Sequence, residues 1–349
     1  MGNKRNIVSG NKNIKRLRQL DDHQVCLFEN IKHVCEGHQK NKLTIGSHII
    51  AENDYLSRIA SKDNKVLVYN IRHESYYEKE KRGRVEDLLT PVLTNHAANT
   101  RNMLCGKHDA SLFDKIENGN RFDEHGENFK QQSFQFALRA FIFDYMHEKN
   151  VNDKGIKTGH SEGANFRASI GLSYREKYFK KFQKAYSEND WDCIETKVIT
   201  IDKKVNFISC FSFFPVNYLK FRYSGHVNDK LFLNIFPEND KTKVVISYFK
   251  DGSVHCKRLS DLLYKLYLRK KSKKIEGFLT RCVLLYDLKV TYNPDYIKRL
   301  FKDETRKMQF FKFSFHLRKA REISDVYKNF LSIFVFEKLK LNLFDDYLN

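Results

Sequence analysis

Two short motifs in the first third of the chain each place a histidine three residues after a cysteine. They are Cys35-x2-His38 in "CEGH" and Cys105-x2-His108 in "LCGKHD". Two intervening residues let a tight turn direct both side chains at one ion, and two such motifs provide the four ligands of a tetrahedral site. Thiolate sulfur combined with imidazole nitrogen favours Zn2+ over Mg2+ or Ca2+. We therefore predict a structural Zn2+ ion bound by Cys35, His38, Cys105 and His108.

Cys26, nine residues before Cys35, is the main alternative ligand. His33 and His23 are further alternatives, although packing or surface exposure is the preferred interpretation of both. The remaining cysteines stand alone in apolar or strand-like settings and are interpreted as core thiols; they are Cys193, Cys210, Cys256 and Cys282. Seven cysteines, an odd number with no signal peptide ahead of them, argue against a disulfide framework and predict a reducing, cytoplasmic location.

The charge of the chain is strongly basic and unevenly distributed. The formal net charge is +20, with +4 in residues 1–150, +16 in residues 151–349, and +14 in the segment 241–320 alone. An excess of this size predicts a polyanionic partner, most often DNA or RNA or an acidic membrane surface, although a solvated basic surface or an acidic partner protein would also explain it. No run approaches the ~18 apolar residues that a membrane span needs, so no membrane association is expected.

Within the basic segment, cations are interleaved with aromatic residues. Lysine and arginine neutralise phosphates, and exposed aromatic rings stack on unpaired bases. The candidate nucleic-acid contacts are Arg269, Lys270, Lys271, Lys273, Lys274, Arg318, Lys319 and Arg321. The C-terminal apolar stretch is interpreted as a buried helix or a dimerisation element, so a homo-oligomer or a partner protein is a further expectation.

The chain is expected to divide into three parts. Residues 1–22 form a basic N-terminal arm, residues 23–150 form a zinc module with a long insertion and a long helix, and residues 151–349 form a basic α+β domain. The glycine-rich segment 152–165 is interpreted as the loop at the boundary. Segment 128–150 keeps apolar residues at helical spacing and predicts the long helix.

Two later segments, 197–215 and 230–250, each contain two β-rich runs around a polar turn, which is typical of hairpins. Farther on, Asn293 followed by Pro294 predicts the start of a helix. The predicted fold class is therefore α+β, in which a small antiparallel sheet is combined with basic helices.

A histidine in an apolar β-run, "TIGSHII", lies between the two cysteine-histidine motifs, and the second motif leads into a helical pattern, "LCGKHDASLFDKIENG". Over residues 26–145 this order resembles the HNH, or ββα-metal, nuclease module and a group of poorly characterised bacterial proteins that carry it. The resemblance implies a zinc-stabilised ββα module with His48 at the end of a strand as general base. It also implies a catalytic Mg2+ or Mn2+, and a setting in bacterial defence against phage.

Several positions depart from that module. Ser47 stands where an acid or a second histidine usually helps to bind the catalytic cation, and Phe113 occupies a position that is often basic. On the following helix Asp109 is the preferred oxygen ligand. Glu117 lies eight residues, or about 12 Å, along the axis, which is too far for the same ion, and is expected in a salt bridge or cap. His96 remains an additional candidate ligand.

Two functions follow as hypotheses. The first is a metal-dependent nucleic-acid phosphodiesterase of HNH-like type, with His48 and Asp109 as its catalytic residues. The alternative is a non-catalytic zinc-stabilised nucleic-acid-binding or sensor protein, in which His48 is a structural strand residue or a zinc ligand in place of His38. A third hypothesis is a protein-interaction module whose basic surface binds an acidic partner.

Overall fold

The computed structural model of the 349-residue chain is α+β. It describes residues 26–35, 45–48, 55–69, 89–94, 100–117, 120–158, 162–213, 215, 229–252, 254–287, 289–311, 313–314 and 340–347. The predicted fold class is confirmed in its coarse form, as helices combined with antiparallel sheet.

Within the described residues, nine strands form a two-stranded and a seven-stranded antiparallel sheet. The strands are β1 Ile45–His48, β2 Lys65–Tyr69, β3 Leu89–Leu93, β4 Thr100–Leu104, β5 Ile194–Ile201, β6 Phe207–Phe213, β7 Leu231–Glu238, β8 Lys241–Phe249 and β9 Thr291–Tyr292. The small sheet pairs β1 with β4, and the large sheet has the order β3-β2-β9-β6-β7-β8-β5. Strands from both halves of the chain therefore belong to the large sheet.

Helices cover both faces of the large sheet. The α-helices are α1 Gly106–Phe113, α2 Phe129–Thr158, α3 Glu162–Glu188, α4 Val254–Leu268, α5 Ser272–Tyr286, α6 Pro294–Leu300 and α7 Glu304–Phe311. One apolar core joins α2, α3 and the cysteine region to one face, and a second joins α4 to α7 and the C-terminal residues to the other face. Consequently β6 is buried at every residue, as expected for a strand covered on both sides.

The predicted hairpin at 230–250 is confirmed, because β7 pairs with β8 around a turn in which Asn239 adopts a positive φ. The prediction of a hairpin at 197–215 is wrong. Strand β5 pairs with β8 and β6 pairs with β7, so the connection between β5 and β6 crosses the end of the β7–β8 hairpin. There the buried Thr242 hydroxyl accepts a hydrogen bond from Val205 N and donates one to Lys203 O. Alternating apolar residues specify which face is buried, not which strand is the neighbour.

The predicted long helix is confirmed as α2, which packs against β6 and β7. The glycine-rich segment 152–165 was expected to be a loop, but it is helical over 152–158 and 162–165. Glycine costs about 1 kcal/mol in a helix, and the packing of α2 against α3 outweighs it. The predicted division between residues 150 and 151 falls within α2 and stays a prediction.

A half-buried ion pair ties α2 to the sheet. Asp144 on α2 pairs with Lys289 at 3.1 Å and accepts hydrogen bonds from the backbone N and the Oγ of Ser212. The Lys230 ammonium donates to the same Ser212 hydroxyl at 2.8 Å. No helix within the described ranges is both long and apolar enough to cross a membrane.

Candidate metal centre

Four buried side chains converge at the start of α1. They are Cys26, Cys35, Cys105 and His108, whose ligand atoms all lie within 4.8 Å of one another. The Nδ1 atom of His108 is 3.3 Å from the Sγ of Cys26, 3.4 Å from that of Cys35 and 3.2 Å from that of Cys105. The arrangement is a Cys3His set that could hold a metal ion.

The donor set and its dimensions fit zinc. With Zn–S near 2.3 Å and Zn–N near 2.0–2.1 Å, tetrahedral ligation places nitrogen about 3.6 Å and sulfur about 3.8 Å from a neighbouring sulfur. The observed nitrogen-to-sulfur distances of 3.2 to 3.4 Å are slightly shorter than that value. Three thiolates and one imidazole form a common closed zinc site, in which protein atoms fill all four positions.

Local structure explains how Cys105 and His108 reach one point. Cys105 caps the N-terminus of α1 in an extended conformation, and its sulfur accepts a hydrogen bond from the backbone N of His108. The two side chains are thus separated by one helical turn, where residues three apart lie on the same face. The short spacing alone therefore creates half of the site.

The other half comes from the segment 26–35, which lies against β4. Leu27 N donates to Met103 O at 2.9 Å, and Cys105 N donates to the Cys26 sulfur at 3.3 Å. Asn30 and Lys32 adopt positive φ, and these two left-handed residues let the segment turn back so that Cys35 meets Cys26.

The second ring nitrogen of His108 lies 2.8 Å from the carbonyl oxygen of Ile31. A carbonyl can only accept, so Nε2 carries the proton and Nδ1 is left as the ligand, the usual outer-shell arrangement for a metal-bound histidine. The ring of His33 stacks on that of His108 at 3.8 Å between centroids. His33 thus packs beside the centre rather than joining it.

Electrostatics in this cluster favour a cation. Burial raises the pKa of Cys26 to about 12, and burial also raises the pKa of Cys35. Burial lowers the pKa of His108. Burial thus favours the neutral forms of Cys26, Cys35 and His108, and a bound divalent cation would supply the charge that lets the thiols ionise.

The cysteine segment also packs on α3. Phe28 is fully buried and makes edge contacts with Phe179 and Tyr186. The ammonium of Lys32 lies 4.2 Å from the centroid of the Tyr186 ring and 5.2 Å from that of Trp191. The centre therefore connects three parts of the molecule: the segment 26–35, the β4–α1 unit, and α3.

Three of the four predicted zinc ligands, Cys35, Cys105 and His108, are brought together. The fourth position is filled by Cys26, and His38 lies outside the described residues. The eight residues between Cys26 and Cys35 match no short ligand motif, so sequence reasoning could name Cys26 only as an alternative. Of the predicted core thiols, Cys210, Cys256 and Cys282 are buried, whereas Cys193 is half-buried.

The structure describes the residues predicted for catalysis only in part. His48 ends β1 and pairs with Thr100 of β4, and only its backbone is among the described parts. Asp109 lies in the first turn of α1, and its side chain is partly exposed. Glu117 forms a salt bridge with the buried Arg139, as expected. His96 falls outside the described ranges, as does His23.

Within the part of the chain that the structure describes, no second group of three or more metal-ligating side chains converges. The predicted nucleic-acid contacts at Arg269, Lys270, Lys271, Lys273 and Lys274 are exposed at the α4–α5 turn. Lys273 is paired with Asp345 at 3.0 Å. The other three, Arg318, Lys319 and Arg321, lie outside the described residues.

Comparison of the chain with protein-family models, with curated proteins and with solved structures finds no match in any of the three.

Proposed function

We propose that this protein is an HNH-like, metal-dependent phosphodiesterase that acts on DNA or RNA and uses zinc to hold its module together. The supporting observation is the order of elements around the Cys3His centre. Strand β1 ends at His48 and pairs antiparallel with β4, and β4 continues through Cys105 into α1. Two antiparallel strands followed directly by a helix are the frame in which a strand-end histidine serves as general base in the nuclease module.

The zinc ion has a structural role in this proposal. All four of its positions are taken by protein atoms, so none is open for a water molecule or a phosphate oxygen. Phosphodiester cleavage would then need a separate hard cation, Mg2+ or Mn2+, which when bound would supply polarisation of the scissile phosphate. His48 accepts the proton of the attacking water, and the Asp109 carboxylate is the candidate oxygen ligand.

A second candidate is a non-catalytic zinc-stabilised protein that binds nucleic acid. It is favoured by Ser47, which offers no strong ligand beside His48, and by the buried Phe113, which stands where the module often has a basic residue. Zinc would have the same structural role in both candidates. They differ in whether a bound nucleic acid is cut.

Cleavage of labelled duplex DNA, single-stranded DNA and RNA, with and without Mg2+ or Mn2+, separates the candidates. We expect cleavage that depends on the cation and falls at least 100-fold in His48→Ala, the lower range for loss of a general base. His125→Ala is the matched control, because His125 is exposed in the loop before α2. Equal cleavage by both variants would remove His48 from the mechanism. Salt-sensitive binding without cleavage would establish the second candidate.

A further inference from the structure

We infer that the nucleic acid is held by a stripe of cations that runs along α4 and around the α4–α5 turn, well beyond the turn itself. This inference rests on the proposed function, since it names the surface that binds the phosphates. The residues of this α4 stripe are Arg258, Lys265, Arg269, Lys270, Lys271 and Lys274.

Helical geometry aligns the first three residues of the stripe. At 3.6 residues per turn, Arg258, Lys265 and Arg269 fall within roughly 40° around the axis of α4. All three are exposed, whereas Cys256, Leu259 and Leu263 are buried against the sheet on the opposite side of the helix. The stripe therefore faces outward along the whole length of α4.

These cations have no acidic partner among the described residues, because the acids nearby are already paired. Asp261 lies between Lys197 at 3.2 Å and Lys257 at 3.4 Å. At the other end, Asp345 pairs with Lys273. Lys273, although predicted as a nucleic-acid contact, is thus excluded from the stripe, and six charges remain unneutralised.

The length of the stripe fits a sugar-phosphate backbone. From residue 258 to residue 269 the helix rises about 16 Å, over which one strand of duplex DNA carries about five phosphates at ~3.4 Å each. Other polyanions fit less well. The apolar face of α4 formed by Cys256, Leu259 and Leu263 is buried against the sheet. Only Val254, Leu262 and Leu268 expose apolar surface on this helix, which is less than the continuous apolar face that an interfacial helix presents to lipid. Lysine, which supplies four of the six cations, is depleted in protein–protein interfaces.

The test compares two triple variants of the full-length, zinc-loaded chain. Lys265→Gln/Arg269→Gln/Lys270→Gln removes three charges from the stripe. The matched control, Lys62→Gln/Lys180→Gln/Lys184→Gln, removes three exposed lysines that also have no ion pair within the described ranges. Binding to a fluorescent 20-mer, single-stranded and duplex, is measured by anisotropy at several salt concentrations, with zinc content and circular dichroism as checks of folding.

We expect the stripe variant to bind at least tenfold more weakly at about 0.1 M salt. We also expect the slope of log K against log[salt] for duplex DNA to become shallower by about 2.7, because each lost phosphate contact contributes about 0.9. The control triple should leave affinity within about threefold of wild type, and its slope should match that of wild type. Equal affinity and slope in the two triples would overturn the stripe while leaving the proposed function in place.

Two further outcomes concern the function itself. Binding that depends on the stripe but is never followed by cleavage would support the stripe and replace the nuclease by the non-catalytic candidate. A wild-type protein that ignores DNA and RNA, yet binds poly-glutamate or vesicles containing anionic lipid, would overturn both the stripe as a phosphate-backbone site and the proposed function.

Discussion

Removal of the metal should release the segment 26–35 from α3. The segment is anchored by Cys26 and Cys35 at the Cys3His centre and otherwise by a small set of contacts. The main ones are the buried Phe28, the ammonium of Lys32 over the Tyr186 ring, and the stacking of His33 on His108. Four hydrogen bonds join them: Leu27 N to Met103 O, Gln183 Nε2 to Leu27 O, His108 Nε2 to Ile31 O, and Lys32 Nζ to Asn189 Oδ1. Without the ion, these contacts alone must outweigh the conformational entropy that is lost when the segment is ordered.

Burial of Phe28 contributes about 2–3 kcal/mol, the cation–π contact about 0.5–1 kcal/mol, the ring stacking about 0.5–1.5 kcal/mol, and the four hydrogen bonds about 1 kcal/mol each. The two small thiol side chains add about 1 kcal/mol together. Ordering ten backbone residues costs about 10–20 kcal/mol. The contacts alone, about 9 kcal/mol, fall below that cost, and the ~10–16 kcal/mol of a structural zinc ion is large enough to offset the shortfall. The segment should therefore leave α3 when the ion is removed.

The assay uses the single tryptophan of the chain. Trp191 lies beside Lys32 and Tyr186, so departure of the segment admits water to its ring. A strong chelator should shift the emission to longer wavelength and accelerate tryptic cleavage after Lys32, and added Zn2+ should reverse both effects. Cys282→Ser, at a buried thiol outside the centre, should keep its zinc and its spectrum. Complete loss of zinc with an unchanged spectrum and an unchanged cleavage rate would refute the reasoning.

Two more predictions concern the ligand set and the ion pair of α2. Cys26→Ser should abolish stoichiometric zinc binding in elemental analysis, whereas His38→Ala should retain it, because the described centre is complete without His38; the reverse result would contradict the Cys3His assignment. Burial alone would raise the pKa of Asp144, but Lys289 and the hydrogen bonds from Ser212 hold it well below its usual value. A depressed pKa stabilises the fold above the pKa of the unfolded state and loses that stabilisation as pH falls below about 4. Asp144→Asn should lower the free energy of unfolding at pH 7 by roughly 3 kcal/mol, the lower end of the range for a broken buried pair, because the Asp144 side chain is partly exposed. Urea titration at pH 7 and pH 3 tests both points, and a variant that matches wild type at pH 7 would show that the pair adds nothing.

What could be predicted from the sequence follows the range of the interactions involved. The contact between Cys105 and His108 is local, as is the cap of α6, where Asn293 Oδ1 accepts from Tyr296 N at 2.8 Å. Both were accessible from spacing alone. Cys26 was not, because its place depends on the pairing of Leu27 with a strand that begins more than seventy residues later. A long-range backbone contact of this kind leaves no periodic signal in the sequence.

The pairing of β5 and β6 failed for a related reason. Each run carries a clear β pattern, yet the neighbour of β5 is β8, which lies beyond the whole β6–β7 hairpin. Consecutive strands usually pair with each other. That expectation is correct for β7 and β8, which form a hairpin, and wrong for β5 and β6, which do not pair. Only the packing of both sheet faces selects the observed order, and packing partners cannot be read from a single strand.

The positions of the two candidate functional regions have a consequence for how they would cooperate. The Cys3His centre belongs to the core on one face of the large sheet, and α4 belongs to the core on the other face. Since a helix packs about 10 Å from a sheet, at least ~20 Å separates the α4 stripe from the layer that holds the centre. In the proposed nuclease the stripe would therefore lie away from the phosphate that is cut, and it would act by anchoring a neighbouring part of the nucleic acid. Loss of the stripe should weaken binding without changing the rate of cleavage at saturating substrate, whereas loss of His48 should change the rate without changing binding.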